Sequence, residues 1–96
     1  MPFTQATALG RKVKLDDWLG FHRDRLLATF YTLRDAGHDD GLTMKQIESI
    51  NGLSYGHVET LVRRMHEQGL VAYLTNNNLI ATERGIRWVE ESPVQP

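Results

Sequence analysis

The run from Leu42 to Val71, LTMKQIESINGLSYGHVETLVRRMHEQGLV, constrains this chain more than any other feature. It reads as two short helices joined by a tight turn, the second ended by a glycine that feeds a strand. Thr43 followed three residues later by Gln46 fits a capping box, in which each side chain satisfies the other's free backbone amide. Met44, Ile47 and Ile50 give the first helix an inward face. Asn51-Gly52 ends it, a pair that tolerates the positive φ of a sharp turn. Ser54 is placed to cap the next helix, which runs to about Gln68 with Val58, Leu61, Val62 and Met65 on its buried side. Gly69 stops it.

Upstream, Leu15, Trp18, Leu19, Leu26, Phe30 and Leu33 follow a three-four spacing, with His22 on the same stripe. This predicts a long amphipathic helix from about residue 15 to 36, with Asp16 or Asp17 in its first turn and Gly37 as the residue just past its end. Phe21, Leu27 and Tyr31 lie off the stripe. A helix apolar on more than one side packs against two surfaces, and the second is expected to be another copy of the chain. His38 to Gly41 is a turn-rich connection.

Downstream, Leu70 to Tyr73 reads as a short apolar strand and Leu79 to Ala81 as its partner. Between them Thr75-Asn76-Asn77-Asn78 forms the turn, since asparagine suits left-handed backbone. Thr82 caps a last helix, with Glu83 in its first turn and Ile86, Trp88 and Val89 available for packing. Ser92-Pro93 ends it. The expected fold class is mainly α with a small two-stranded β-hairpin. Residues 1–14 read as a flexible basic arm carrying Arg11, Lys12 and Lys14, residues 15–91 as the domain, and 92–96 as a flexible tail.

At 96 residues the chain is one domain. Absence of cysteine excludes disulfides and thiolate metal sites. No apolar core long enough for a signal peptide opens the chain, and no stretch approaches the roughly 20 apolar residues of a membrane span. A cytoplasmic protein without a membrane partner is expected. The net charge of −1 argues against indiscriminate nucleic-acid binding, which needs clustered Lys and Arg to displace counterions. The charge is uneven, however: Arg11, Lys12 and Lys14 form one basic cluster and Arg63 and Arg64 another, against Asp39-Asp40 and Glu90-Glu91. Such a balance fits a small sequence-specific DNA binder and equally a protein that binds other proteins.

Three segments resemble the winged helix-turn-helix superfamily over about residues 15–90. Leu42-Thr43-Met44-Lys45-Gln46-Ile47 is similar to that family's entry into its second helix. Val62-Arg63-Arg64-Met65-His66-Glu67-Gln68-Gly69-Leu70-Val71 is similar to its exit from the recognition helix. Leu79-Ile80-Ala81-Thr82-Glu83-Arg84-Gly85 is similar to its passage from strand through Thr-x-x-Gly into the last helix. They occur in the family's order and at its spacing. The resemblance implies a transcription regulator of the kind that includes the MarR-like and PadR-like groups, often homodimers on palindromic sites. It does not select a subgroup: no second dimerisation helix follows Glu90, and the wing is small.

On a helical wheel with Val58 inward, Gly56, Thr60, Arg63 and Glu67 face away from the core, flanked by His57 and Arg64. Ser54, Tyr55, Gly56 and His57, near the amino-terminal end, are closest to base edges or phosphates. Arg63 is suited to guanine or phosphate, Thr60 to a thymine methyl, and His57 and Tyr55 to phosphate. Gly56 either lets a backbone approach closely or relieves crowding. Asn76 and Asn77 at the wing tip either meet DNA or serve the hairpin backbone. Arg84 and Arg87 either touch phosphate or form a solvated face. The dimer interface is expected at Trp18, Phe21, Leu27, Tyr31 and Trp88.

Trp18, Phe21, Phe30 and Trp88 are read as core or dimer packing rather than a pocket wall, so no small-molecule effector is expected. Gly52-Leu53-Ser54-Tyr55-Gly56 matches the G-x-S-x-G string of a nucleophile elbow, but that motif needs a strand where a helix is expected here. His38, Asp39 and Asp40 lack a second ligand cluster, so no metal is expected. No catalytic residue and no cofactor follow. The expected function is sequence-specific double-stranded DNA binding by a homodimeric small transcriptional regulator or repressor. The alternatives are a winged-helix protein-interaction module and a plasmid or phage replication or partition factor.

Overall fold

The order of elements follows from where the chain can start and stop helices. A computed structural model describes residues 15–91. The expected arm, with Arg11, Lys12 and Lys14, and the expected tail lie outside the described residues. Four helices and two strands follow in the order α1 (Leu15–Asp35), α2 (Met44–Asn51), α3 (Tyr55–Glu67), β1 (Val71–Tyr73), β2 (Leu79–Ala81) and α4 (Glu83–Glu90). The coarse class expected from the sequence is therefore present: mainly helical, with an antiparallel hairpin. Among the described residues no helix is long and apolar enough to cross a membrane.

Local chemistry accounts for most boundaries. The capping box at α2 is complete: Thr43 Oγ1 accepts from the Gln46 amide at 3.1 Å, and Gln46 Oε1 accepts from the Thr43 amide at 2.8 Å. Thr82 caps α4 by accepting from the Gly85 amide at 3.1 Å, and its hydroxyl donates to the Gly69 carbonyl at 2.7 Å. α1 and α3 both close in Schellman fashion, with His38 donating to Leu33 and Leu70 to Met65. Between α2 and α3 the chain reverses at Gly52, whose φ of 63° is left-handed.

One apolar cluster unites all of these elements except α4, which adds Ile86 and Val89 at its side. Leu26 and Leu27 of α1, Ile47 of α2, Val58 and Leu61 of α3, and Leu70 are fully enclosed. Each such side chain contributes about 1.5–3 kcal/mol relative to an exposed one.

Two expectations are corrected, those for Leu27 and for the run of asparagines. Leu27 is enclosed in the chain's own core, because Gly85 lets α4 close over it, so it is not available to a second subunit. Asn51-Gly52 ends α2 as expected, with the positive φ at Gly52, and Asn51 is in addition buried. Its side-chain amide donates to the His22 carbonyl at 3.1 Å and meets His22 Nδ1 at 3.2 Å, which ties α2 to α1. Of the three successive asparagines, Asn77 alone is left-handed, with φ 70°. Asn76 instead accepts the Asn78 amide in an Asx turn, and Asn78 donates to the Asp40 carbonyl at 3.1 Å.

The hairpin pairs Val71 with Ala81, Ala72 with Ile80 and Tyr73 with Leu79. Leu42 adds a one-residue antiparallel bridge on the far side of β2, exchanging two bonds of 2.8 Å with Leu79. That bridge anchors the start of α2 to the hairpin, and α2 in turn carries the turn into α3.

Candidate nucleic-acid interface

α3 is a rod with one side sealed and one side open. Val58, Leu61, Val62 and Met65 are at most 1% exposed. Opposite them Gly56, Arg63 and Glu67 are exposed and Thr60 is half-buried, its hydroxyl donating to the Gly56 carbonyl at 3.2 Å. The wheel assignment therefore holds in three dimensions. A Cβ at Gly56 would meet nothing within 4 Å, so crowding within the chain is not the reason for glycine there. Tyr55 stands 54% exposed at the amino-terminal end.

Ser54 occupies the cap position of α3, but its hydroxyl contacts the His57 ring at Nδ1, 3.1 Å away, instead of a backbone amide. The ring at the third helical position has taken the place that the amide would fill. A helix precedes Gly52, as the sequence reading of the G-x-S-x-G string required. His57 also packs edge-on against Trp18, with ring centroids 5.3 Å apart. Trp18 lies in turn 5.0 Å from the His22 ring, whose other neighbour is Phe21, edge-on at 5.0 Å. This row of rings fixes the start of α3 against the first half of α1. The His22 ring is held below the ordinary histidine value, first by burial and then by the charges of Arg25 and His57. Acceptance of the Asn51 amide at Nδ1 likewise favours the neutral ring.

Arg63 is exposed and has no ion-pair partner among the described residues. Arg64, half-buried, turns to the flank. It lines a hollow of about 310 Å³ between α3 and α1, together with Leu19, Arg23, Leu61, Met65 and Gln68. Arg84 is exposed, and its Cδ lies 3.6 Å from where a Cβ on Gly69 would stand, so it borders the end of α3. Asn76 and Asn77 are exposed at the hairpin tip. The structure thus places Ser54, Tyr55, Gly56, His57, Thr60, Arg63 and Arg64 on one continuous helix, with Arg84 beyond its end and Asn76 and Asn77 on the separate hairpin turn.

The expected interface residues do not form one apolar surface. Phe21 is 62% exposed, but Asp17, Asp24, Arg25 and Ala28 are exposed with it on the outer side of α1. Tyr31 is half-buried near Arg34, Asp35 and Glu90. Trp88, 41% exposed, is already engaged: Arg23 stacks on its ring at 4.5 Å and its indole donates to Asp24 at 3.1 Å.

Sequence reasoning passed over Arg23 and Arg25. Arg25 donates to the Ile50 carbonyl at 3.1 Å, where it complements the carboxyl end of α2. Neither role is visible from helical spacing, since both partners lie far along the chain. Among the described residues no group of three His, Cys, Asp or Glu side chains converges as a metal site. A larger hollow of about 470 Å³ is floored by Phe30, Leu33, Ile80 and Ile86 and bordered by the Arg34–Glu83 pair at 3.5 Å, with no α3 residue in its wall. Of the four aromatic residues weighed as a pocket wall, Phe30 alone lines it. No protein-family model matches the chain, and a comparison with curated proteins finds no match.

Proposed function

We propose that this chain is a winged helix-turn-helix domain that binds double-stranded DNA sequence-specifically, as a small cytoplasmic transcriptional regulator. α3 enters the major groove, the hairpin is the wing, and two copies act together. One observation carries the reading: α3 is anchored by four enclosed side chains while its opposite side, with Gly56, Arg63 and Glu67, stays open to solvent. A helix presented in this way matches the width of the major groove. Arg63 has no ion pair to give up among the described residues, which leaves its fork for guanine or phosphate. In a homodimer the half-sites lie about one helical turn apart, roughly 34–36 Å.

An electrophoretic shift with genomic fragments and random duplex, at two salt concentrations, tests the proposal. Binding should weaken steeply with salt. Arg63→Ala should lose about 1–3 kcal/mol of discrimination between sites, with the thermal midpoint nearly unchanged. A folded wild-type protein that binds no duplex at low salt refutes the proposal and favours the protein-interaction reading.

A further inference from the structure

The hollow between α1 and α3 is lined by two arginines that the sequence separates widely. Arg23 comes from α1 and Arg64 from α3; Leu19, Leu61 and Met65 line the same space, and Gln68 adds an amide. Two contacts hold the head of Arg23. Its guanidinium lies over the Trp88 ring at 4.5 Å. Its Nε donates to Asp24 at 3.0 Å, which leaves the terminal nitrogens as donors. Among the described residues Asp24 is the one carboxylate bonded at this seam, and the Trp88 indole shares it. Arg64 has no ion-pair partner among the described residues. The hollow therefore keeps net positive charge.

We propose that this seam seats one phosphate of the DNA backbone between Arg23 and Arg64. The inference rests on the DNA-binding reading and extends it to a residue of α1. Arg64 flanks the side of α3 that bears Arg63 and Thr60, so a strand bordering the occupied groove runs past it. Fork-shaped guanidinium groups match the oxygens of a phosphodiester, and Arg23, already held by Trp88 and Asp24, loses little freedom on binding. The contact is independent of sequence and sets register.

Fluorescence anisotropy with a labelled random-sequence duplex, titrated between 50 and 200 mM NaCl, provides the test. Each phosphate contact contributes about 0.9 to the slope of log affinity against log salt. Arg23→Gln and Arg64→Gln should each lower the slope by about that amount, which is about 3.5-fold in affinity over this fourfold salt range. Arg23→Lys should restore most of the slope, and Arg34→Gln, away from the seam, should leave it unchanged. Weaker binding with an unaltered slope in Arg64→Gln or in folded Arg23→Gln means a structural role and overturns the inference. Should Arg23→Gln fail to fold, the Arg64→Gln slope decides alone. Absence of any wild-type binding overturns the DNA reading itself, a result distinct from an unaltered slope.

Discussion

Replacing Gly85 by alanine sets two physical effects of opposite sign against each other. Gly85 is the third residue of α4, and intrinsic propensity alone favours alanine by up to about 1 kcal/mol. Tertiary geometry opposes it. A Cβ at this position falls well inside contact distance of the Leu70 carbonyl oxygen and 3.2 Å from Leu27 Cδ2. The first obstacle is backbone and cannot swing aside. It also accepts the Thr82 amide at 3.0 Å, so moving it loosens the junction of hairpin and helix. Overpacking of this kind costs about 3 kcal/mol at the upper end of its usual range. Displacing α4 also strains the Thr82 cap, worth about 1 kcal/mol. After the propensity gain, Gly85→Ala should destabilise by about 3 kcal/mol. For a domain of this size that lowers the thermal midpoint by roughly 12–24 °C. Circular dichroism at 222 nm during heating measures it. A midpoint within 4 °C of wild type, or above it, would refute the close-approach argument.

Asn51→Ala should cost about 1–3 kcal/mol in urea unfolding, because a buried bridge between α2 and α1 is lost; a change below 0.5 kcal/mol would show the bridge to be incidental. Because the His22 ring is held below its ordinary value, the unfolded chain takes up this proton first as pH falls. This contribution to stability is therefore constant above the unfolded value, near 6.5, and declines below it down to the folded value. His22→Gln should flatten the fall in urea midpoint between pH 7.5 and 5.0, and an undiminished fall would assign it to other groups. If the proposed pairing of two copies uses Phe21, Phe21→Glu should lower self-association in sedimentation equilibrium while sparing the thermal midpoint of the fold, since the side chain is 62% exposed, and a wild-type chain that sediments as a monomer refutes the pairing. Persistence of the dimer would move the interface elsewhere.

Elements that depend on a few neighbouring residues were legible in the sequence. The Thr43–Gln46 box, the Thr82 cap and the reversals at Gly37, Gly52 and Gly69 are all local, and each lies where spacing and residue type place it. The inner side of α3 was legible for the same reason, because one period of 3.6 residues orders Val58, Leu61, Val62 and Met65. What surrounds a side chain was not legible. Leu27 lies off the stripe of α1, and whether a neighbouring helix or a second copy covers it depends on how closely α4 approaches. Asn51 ends α2 where its type and the following glycine place it, but that its amide reaches a carbonyl one helix away is set by packing.

Sequence alone determined the order and type of the elements and which side of α3 is apolar, since these follow from short-range periodicity and capping. Tertiary structure alone decided the company each side chain keeps: Leu27 with Gly85, Leu42 with Leu79, and Arg23 with Trp88 and Arg64. The reason is one of range. Backbone conformation is set within a turn or two, whereas packing joins residues whose separation along the chain carries no record of their distance in space.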